Sequence, residues 1–151
     1  MFRIPPGGGD VESLAADISM GDPGGVAVAD NGDVYVVDVL SGEGDATLVR
    51  VRDGEATVLL RGIGVGFPAG TAITREGGTL LVSGLDPRTR RDVVYVLDTA
   101  SGDVSVVSEP LKDFSEPAGL HRAHGSNTFA WADSEANDTG TVYVLDLDKP
   151  L

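Results

Sequence analysis

The pentapeptide Val-Tyr-Val-Leu-Asp (VYVLD) occurs twice in this chain, at residues 94–98 and again at residues 142–146. A second landmark, Pro-x-Gly followed directly by an apolar run, recurs at residues 23–25, 68–70 and 117–119. Both landmarks recur at intervals of 45–49 residues. A period of this length is typical of repeat proteins in which each repeat is one supersecondary unit.

Each of these three Pro-x-Gly copies begins a series of short apolar runs. The first copy reads GVAVADNGDVYVVD (25–38), which is two runs joined by a tight turn. A third run follows in every copy, and a fourth in the first two. The runs are rich in Val, Leu and Thr, which favour strands, and Gly, Asn and Asp separate them. Asn31–Gly32 predicts a two-residue hairpin, and only residues 11–18 leave room for a helical turn.

Four antiparallel strands that repeat every ~45 residues predict an all-β fold made of β-propeller blades. Runs such as VYVVDV (34–39) and VVYVLD (93–98) are apolar on both faces. This is expected of sheets that are covered on both sides by neighbouring blades. A β-sandwich is the alternative, but it does not require a Pro-x-Gly landmark at constant phase.

The repeat predicts one domain with blades at residues 23–67, 68–116 and 117–151. The third blade stops after its third strand, while VESLAAD (11–17), within residues 1–22, lies in the phase of an outer, fourth strand. Three blades cannot close a ring. We therefore expect either a half-ring completed to six blades by a second copy, with outer strands exchanged, or a part of a longer propeller.

The first repeat, PGGVAVADNGDVYVVD (23–38), resembles the NHL-type propeller repeat, approximately P-x-G-I-A-V-x-x-x-G-x-V-Y-V-A-D. Gluconolactonase-like, virginiamycin-lyase-like and cyanobacterial pigment-cluster propellers share this pattern, so the resemblance implies a fold and leaves the activity open. Gluconolactonase-like enzymes bind a divalent metal in the channel through Glu, Asn and Asp, a set not matched here residue by residue. Virginiamycin-lyase-like propellers use a channel histidine.

Composition restricts the partners. The chain has 24 acidic and 11 basic residues and a net charge of −13, without the basic footprint that nucleic acid requires. No apolar stretch approaches the roughly 20 residues of a membrane helix. The absence of cysteine excludes disulfides and thiolate metal sites. The start, MFRIPPGGGD, has no apolar core of a signal peptide, so both a cytoplasmic and an exported location stay open.

Departures from the repeat mark candidate ligand-binding residues on the long-loop side, where strand two joins strand three and strand four joins strand one. His121 and Arg122 replace small or apolar residues of the other copies. On an innermost strand, His121 would lie near the channel as a ligand contact or general base, or else as a core histidine. A cluster in LDPRTRRD (85–92) suits a carboxylate or phosphate, or is a solvated tip: Arg88, Arg90 and Arg91.

The loop DSEANDTG (133–140) contains oxygen donors of the kind that bind Ca²⁺, namely Asp133, Glu135, Asn137 and Asp138. Its spacing lacks the glycine of an EF-hand, so a plain polar loop is the alternative. Calcium is the one cofactor that the sequence suggests.

Two further features are interpreted as scaffold. Asp38, Asp98 and Asp146 end apolar runs, recur in phase and are predicted to cap turns. Trp131 is predicted to lie in the blade core.

Together these features favour a non-enzymatic propeller scaffold that forms a homodimer and binds a protein or small ligand on the long-loop side. The alternative is a metal-assisted lactone hydrolase or lyase with His121 in its channel. Neither nucleic acid nor a membrane is expected as a partner.

Overall fold

Strands supply the regular structure in the computed structural model, which describes residues 1–16, 18–39, 46–63, 70–86, 91–107, 117–133 and 138–148. In these ranges every element longer than one turn is a strand, and the strands form antiparallel sheets. The all-β prediction is therefore confirmed. Within the same ranges there is no helix long and apolar enough to cross a membrane.

The N-terminal segment, residues 1–22, contains two short strands, β1 (Phe2–Arg3) and β2 (Glu12–Ser13). They pair with each other in antiparallel register. The outer strand predicted at residues 11–17 is thus reduced to two residues, whose partner lies in the same chain. No helical turn forms in the described part of residues 11–18. Pairing of this segment with another copy stays a prediction.

Blade 1 is a four-stranded sheet whose strands follow one another in chain order. Its strands are β3 (Pro23–Val28), β4 (Val34–Val39), β5 (Ala46–Arg52) and β6 (Glu55–Ile63). The Val-rich β4 is buried along its whole length, because it lies inside the sheet and is covered on both faces.

The two-residue hairpin predicted at Asn31–Gly32 of blade 1 does not form. Asn31–Gly32 belongs to a longer connection between β3 and β4, in which only Gly32 has a positive φ, of 90°. The Asn31 Oδ1 accepts the backbone N–H of Asp33 at 3.0 Å and holds this turn in place. The two-residue hairpin is instead Asp53–Gly54, between β5 and β6, where φ is 51° and 85°. Positive φ at both positions is the signature of a type I′ turn.

Blade 2 repeats this arrangement with β7 (Gly70–Ile73), β8 (Thr79–Asp86), β9 (Arg91–Asp98) and β10 (Val104–Val106). Its order, β7-β8-β9-β10, is again that of the chain. The propeller-blade prediction is confirmed by these two matching sheets.

Blade 3 has three strands among the described residues, β11 (Pro117–Arg122), β12 (Thr128–Asp133) and β13 (Thr141–Asp146). The two copies of VYVLD therefore occupy the same place in two blades, the third strand, β9 in blade 2 and β13 in blade 3. The pentapeptide occurs twice because the blade is repeated.

Two of the three aspartates that end apolar runs, Asp98 and Asp146, cap turns as predicted, whereas Asp38 does not, and the three do not share one phase. Asp98, at the end of β9, accepts the backbone N–H groups of Ala100 and Ser101 at 2.9 and 2.7 Å. Asp146, at the end of β13, accepts that of Asp148 at 3.1 Å. Both follow a third strand.

Asp38 differs because it belongs to β4, the second strand of its blade. It accepts the backbone N–H groups of Gly21 and Asp22, at 3.0 and 2.8 Å, and so ties the N-terminal segment to blade 1. The resemblance of VYVVD to VYVLD concealed this difference in position.

Two apolar cores hold the three blades side by side. Each blade has a forward face, which meets the next blade along the chain, and a backward face, which meets the preceding one. Neighbouring residues of β8 point to opposite faces, so Leu80 and Val82 pack against blade 1 while Leu81 packs against blade 3. This explains why the strands are apolar on both faces.

The core between blades 2 and 3 is built around Trp131, which is 1 % exposed and stacks on Tyr143 with ring centroids 5.6 Å apart. Leu120 and Phe129 complete the blade 3 side of this core. Trp131 is therefore a blade-core residue, as predicted.

Candidate functional site

The first strands of the three blades, β3, β7 and β11, lie next to one another on the inner side of the arc. They line a concave space of about 190 Å³ formed by residues 26–28, 71–73, His121 and Arg122. His121 is exposed at this space, on the innermost strand where the sequence placed it. Its role as a ligand contact or general base stays a prediction.

A backbone irregularity sets the position of His121. The register of β11 against β12 shifts between Ala118 and His121, and Gly119 has a positive φ of 63°. A glycine with positive φ inside a strand is the usual source of a bulge, and a bulge changes the direction of the following side chain. The Pro-x-Gly glycine of blade 3 therefore sets how His121 is presented.

Arg122 follows His121 but points toward the short-turn side of the arc, where strand one joins strand two and strand three joins strand four. Its Nη2 donates to Asp30 Oδ1 at 3.0 Å, and its Nη1 donates to the carbonyl oxygen of Ser126 at 3.1 Å. The side chain is only 15 % exposed. Its donors link blade 3 to blade 1, so its predicted binding of a ligand would have to compete with these contacts.

Asp30 is the centre of this link. Its Oδ2 accepts a second hydrogen bond at 3.0 Å from Nε of Arg75, which belongs to the corresponding turn of blade 2. One carboxylate thus joins the first turns of blades 1 and 2 to the end of β11 in blade 3. The hydrogen bond from Arg75, together with the positive charge of Arg122, holds the pKa of Asp30 below its usual value.

Asn127 extends the same network from blade 3. Its Oδ1 accepts the backbone N–H of Arg75 at 2.9 Å, and its Nδ2 donates to Glu76 at 3.1 Å. Its own backbone N–H donates to Asp148 at 2.9 Å. The side of the short turns is therefore where hydrogen bonds and ion pairs join the blades.

Sequence reasoning missed this network, although one signal was present. Asp30 and Arg75 occupy the same position in the first turns of successive blades, after Ala29 and Thr74. Opposite charges at equivalent repeat positions are expected to meet when the repeats stack side by side.

Replacing Asp30 with asparagine should lower the melting temperature at pH 7, because both arginines lose their charged acceptor. Because the pKa of Asp30 is lower in the folded state than in the unfolded state, its carboxylate stabilises the fold above pH ~4. This contribution is lost as the pH falls through the lowered pKa of Asp30. The melting curves of the wild type and Asp30→Asn should therefore converge in acid. Asp10→Asn, at an exposed carboxylate, is the control; an Asp30→Asn deficit unchanged down to pH 2 would contradict the linkage.

The predicted anion-binding cluster is described only at one residue. Arg91 begins β9, opposite Asp86 in the backbone register. Arg88 and Arg90 lie outside the described residues. Their binding to a carboxylate or phosphate stays a prediction.

The predicted calcium loop is described at its two ends. Asp133 ends β12 and is 1 % exposed, whereas Asp138 is exposed and has a positive φ of 60°. Glu135 and Asn137 lie outside the described residues. In the described part of the chain, no three His, Cys, Asp or Glu side chains form a group that could hold a metal ion.

The forward face of blade 3 is an exposed apolar surface. On β12 and β13 its side chains are Ala130, Ala132, Val142 and Val144, which pair across the two strands in register. Val142 is 70 % exposed and Val144 is 68 % exposed. Two adjacent β-branched side chains with this exposure form an apolar surface that water does not favour.

The equivalent valine of blade 2 is buried against the next blade. Val94 occupies the VYVLD position of Val142 and is 0 % exposed, because Leu120, Phe129 and Trp131 of blade 3 cover it. The same pentapeptide is therefore buried where a next blade exists and exposed where none is described.

The backward face of blade 1 is covered differently, by the N-terminal segment. Ala15 forms a small core with Val34, Val36 and Val51, and Met1, Leu14, Ile18 and Met20 pack around it. A groove of about 730 Å³ remains between this segment and the inner strand β3. A second groove, of about 450 Å³, lies toward β5 and β6.

These sheets define the class of fold: consecutive antiparallel blades of a β-propeller, packed face to face, two of them with four described strands and the third with three. The fold resembles the crystal structure of TolB from Acinetobacter baumannii, a β-propeller-containing protein, with a TM-score of 0.70 and 11 % sequence identity. The match covers 97 % of this chain and 34 % of that chain, so this chain spans about a third of TolB's length. No protein-family model and no curated protein matches the sequence.

Proposed function

We propose that this chain is a non-enzymatic β-propeller scaffold, built from NHL-type repeats, that associates with a second copy and binds a protein or small ligand on its long-loop side. The NHL assignment rests on the repeat PGGVAVADNGDVYVVD (23–38). The observation that carries the association is the contrast between Val142, 70 % exposed, and its buried counterpart Val94.

A second copy is the simplest partner for the forward face of blade 3. The chain itself makes two interfaces in which a forward face meets a backward face. A second copy offers the same kind of backward face on its blade 1. Two copies related by a two-fold axis would make this contact twice, so that both ends of each chain are covered. The proposed ring then encloses the channel space beside His121.

The geometry supports binding ahead of catalysis at that space. Among the described residues that line it, His121 and Arg122 are the titratable ones, and Arg122 is engaged by Asp30. A general acid–base reaction requires a second group within reach of the substrate. Ligand binding requires only a shaped surface with a few polar contacts.

The association is tested by light scattering on the intact chain at micromolar concentration. We expect a particle of about twice the 15.6 kDa chain mass. Each chain has a net charge of −13, so like charges repel and the dimer should be more stable at about 0.5 M salt than at low salt. Val142→Asp with Val144→Asp should raise the dissociation constant at least ~100-fold, because two carboxylates would be buried in an apolar contact.

Val104→Asp with Val106→Asp is the matched control. These valines lie on β10, the outer strand of blade 2, and are 44 % and 45 % exposed. The control should leave the dimer unchanged. A wild-type chain that stays monomeric at every concentration and salt would contradict the proposed association.

A further inference from the structure

The backward face of blade 1 is incompletely covered, and the two grooves show where. The N-terminal segment runs between them, with Ile18 and Met20 at the edge of both. It therefore covers the middle of the sheet and leaves both margins open. A neighbouring blade, by contrast, is a sheet of similar width and can cover all four strands.

The inner strand gives the clearest measure of this difference. Val26 and Val28, on β3, are 62 % and 56 % exposed. The equivalent residues of β7 in blade 2, Thr71 and Ile73, are 8 % and 2 % exposed because blade 1 covers that face. Two apolar side chains of blade 1 thus occupy interface positions without an interface.

The N-terminal segment is anchored to blade 1 at its end, where Asp38 accepts the backbone N–H groups of Gly21 and Asp22, but the contacts of residues 1–20 are of modest strength. Its ladder is two residues long, and the N-terminal amine donates to the carbonyl oxygen of Ala15 at 2.8 Å. Its ion pair, Arg3 with Glu12, is exposed on both sides. Exposed ion pairs contribute little to stability. Before Gly21, the apolar contacts of Leu14, Ala15 and Ile18 with blade 1 are the main attachment.

We infer that the N-terminal segment is a displaceable cover on the backward face of blade 1, and that the occupant this face is shaped for is the forward face of blade 3 of a second copy. This inference rests on the proposed function. The two faces are complementary halves of the interface that the chain already makes between blades 1 and 2 and between blades 2 and 3. The segment and the second copy cannot both cover Val34 and Val36, so they compete.

Competition has a measurable consequence. When only an uncovered fraction of the chains is competent to associate, the apparent dissociation constant is raised by the inverse of that fraction. Weakening the cover should therefore tighten association. This is the opposite of what strand exchange predicts, because in an exchanged dimer residues 11–17 would be part of the contact.

The experiment uses the full chain with Leu14→Ser and Ile18→Ser, which loosen the apolar attachment without adding charge. Sedimentation equilibrium should show a dissociation constant at least ~10-fold lower than that of the wild type. Val11→Ser, at a residue that is 56 % exposed, is the matched control and should change nothing. Near-ultraviolet circular dichroism of Trp131, in the core between blades 2 and 3, reports whether the variant remains folded.

Hydrogen exchange on the wild type supplies a second measurement that needs no variant. The amide of Leu14 donates to the carbonyl oxygen of Met1 at 2.9 Å in the covered state. As the protein concentration rises and dimers form, this amide should lose protection. If the Leu14 amide instead gains protection, or if the Leu14→Ser, Ile18→Ser variant associates more weakly than the wild type, the inference of a displaceable cover is wrong. The proposed dimer would still stand.

The failure of the proposed function has a different signature. If wild type and the Leu14→Ser, Ile18→Ser variant are both monomeric, and Val142→Asp with Val144→Asp changes nothing, both the dimer and the inference fail. Both the dimer and the cover are supported if the Leu14→Ser, Ile18→Ser variant associates more tightly than the wild type and if adding Val142→Asp and Val144→Asp to it abolishes the association.

Discussion

Trp131→Ala should lower the free energy of unfolding by about 3–5 kcal/mol, the range for truncating a large aromatic residue in a core. Trp131 is almost fully buried between blades 2 and 3 and stacks on Tyr143. Its removal leaves a cavity beside Leu120 and Phe129 in the core between blades 2 and 3. Because this apolar core joins only two blades, the loss cannot be redistributed widely.

Urea unfolding followed by circular dichroism measures the effect, since the chain has a single tryptophan and fluorescence is lost with it. Phe2→Ala is the control, because Phe2 is 70 % exposed and its truncation should cost under about 1 kcal/mol. Both variants should be compared at one protein concentration, because association shifts the apparent stability. A loss below about 1 kcal/mol for Trp131→Ala would contradict the placement of this residue in the core.

Gly70→Ala should lower the free energy of unfolding by about 2–3 kcal/mol, through crowding. A Cβ at Gly70 would lie 2.5 Å from Ser83 Oγ and 3.1 Å from both the backbone N and the Cβ of Leu120 in blade 3. The serine is fully buried and the leucine contact involves backbone, so neither moves freely. This close approach gives the Pro-x-Gly glycine of blade 2 its physical role.

Two matched variants isolate the clash in a urea titration. Gly78→Ala changes a glycine of the same blade whose Cβ would meet no atom within 4 Å, and should be nearly neutral. Adding Ser83→Ala to Gly70→Ala should restore part of the lost stability, because the nearest clashing atom is removed. Equal losses in Gly70→Ala and Gly78→Ala would show that the effect is one of chain flexibility rather than of packing.

Much of the fold was predictable because it depends on local patterns. The Val-rich runs that alternate with turn residues predicted the strands, and the recurrence of Pro-x-Gly predicted the blades. Turn geometry was less predictable. Asn31–Gly32 and Asp53–Gly54 are both good type I′ pairs, yet only the second forms that turn, because the side chain of Asn31 binds the backbone of Asp33 instead.

The candidate site was predictable only in part. The position of His121 on an innermost strand followed from the repeat, and the structure places it there. The partners of Arg122 did not follow, because Asp30 lies 92 positions away in sequence and meets it only when three blades stack. The ionic network on the short-turn side could be found from sequence only by comparing equivalent turn positions between blades.

The sequence by itself determined that this chain forms strands, that four strands make a unit, and that both faces of the unit are apolar. Those properties follow from residue type and spacing along the chain. Only the tertiary structure decided which apolar faces are covered. Val94 and Val142 are the first residues of the two copies of VYVLD, yet Val94 is 0 % exposed and Val142 is 70 % exposed. Burial depends on what lies opposite a side chain in space, and a local sequence does not contain that information.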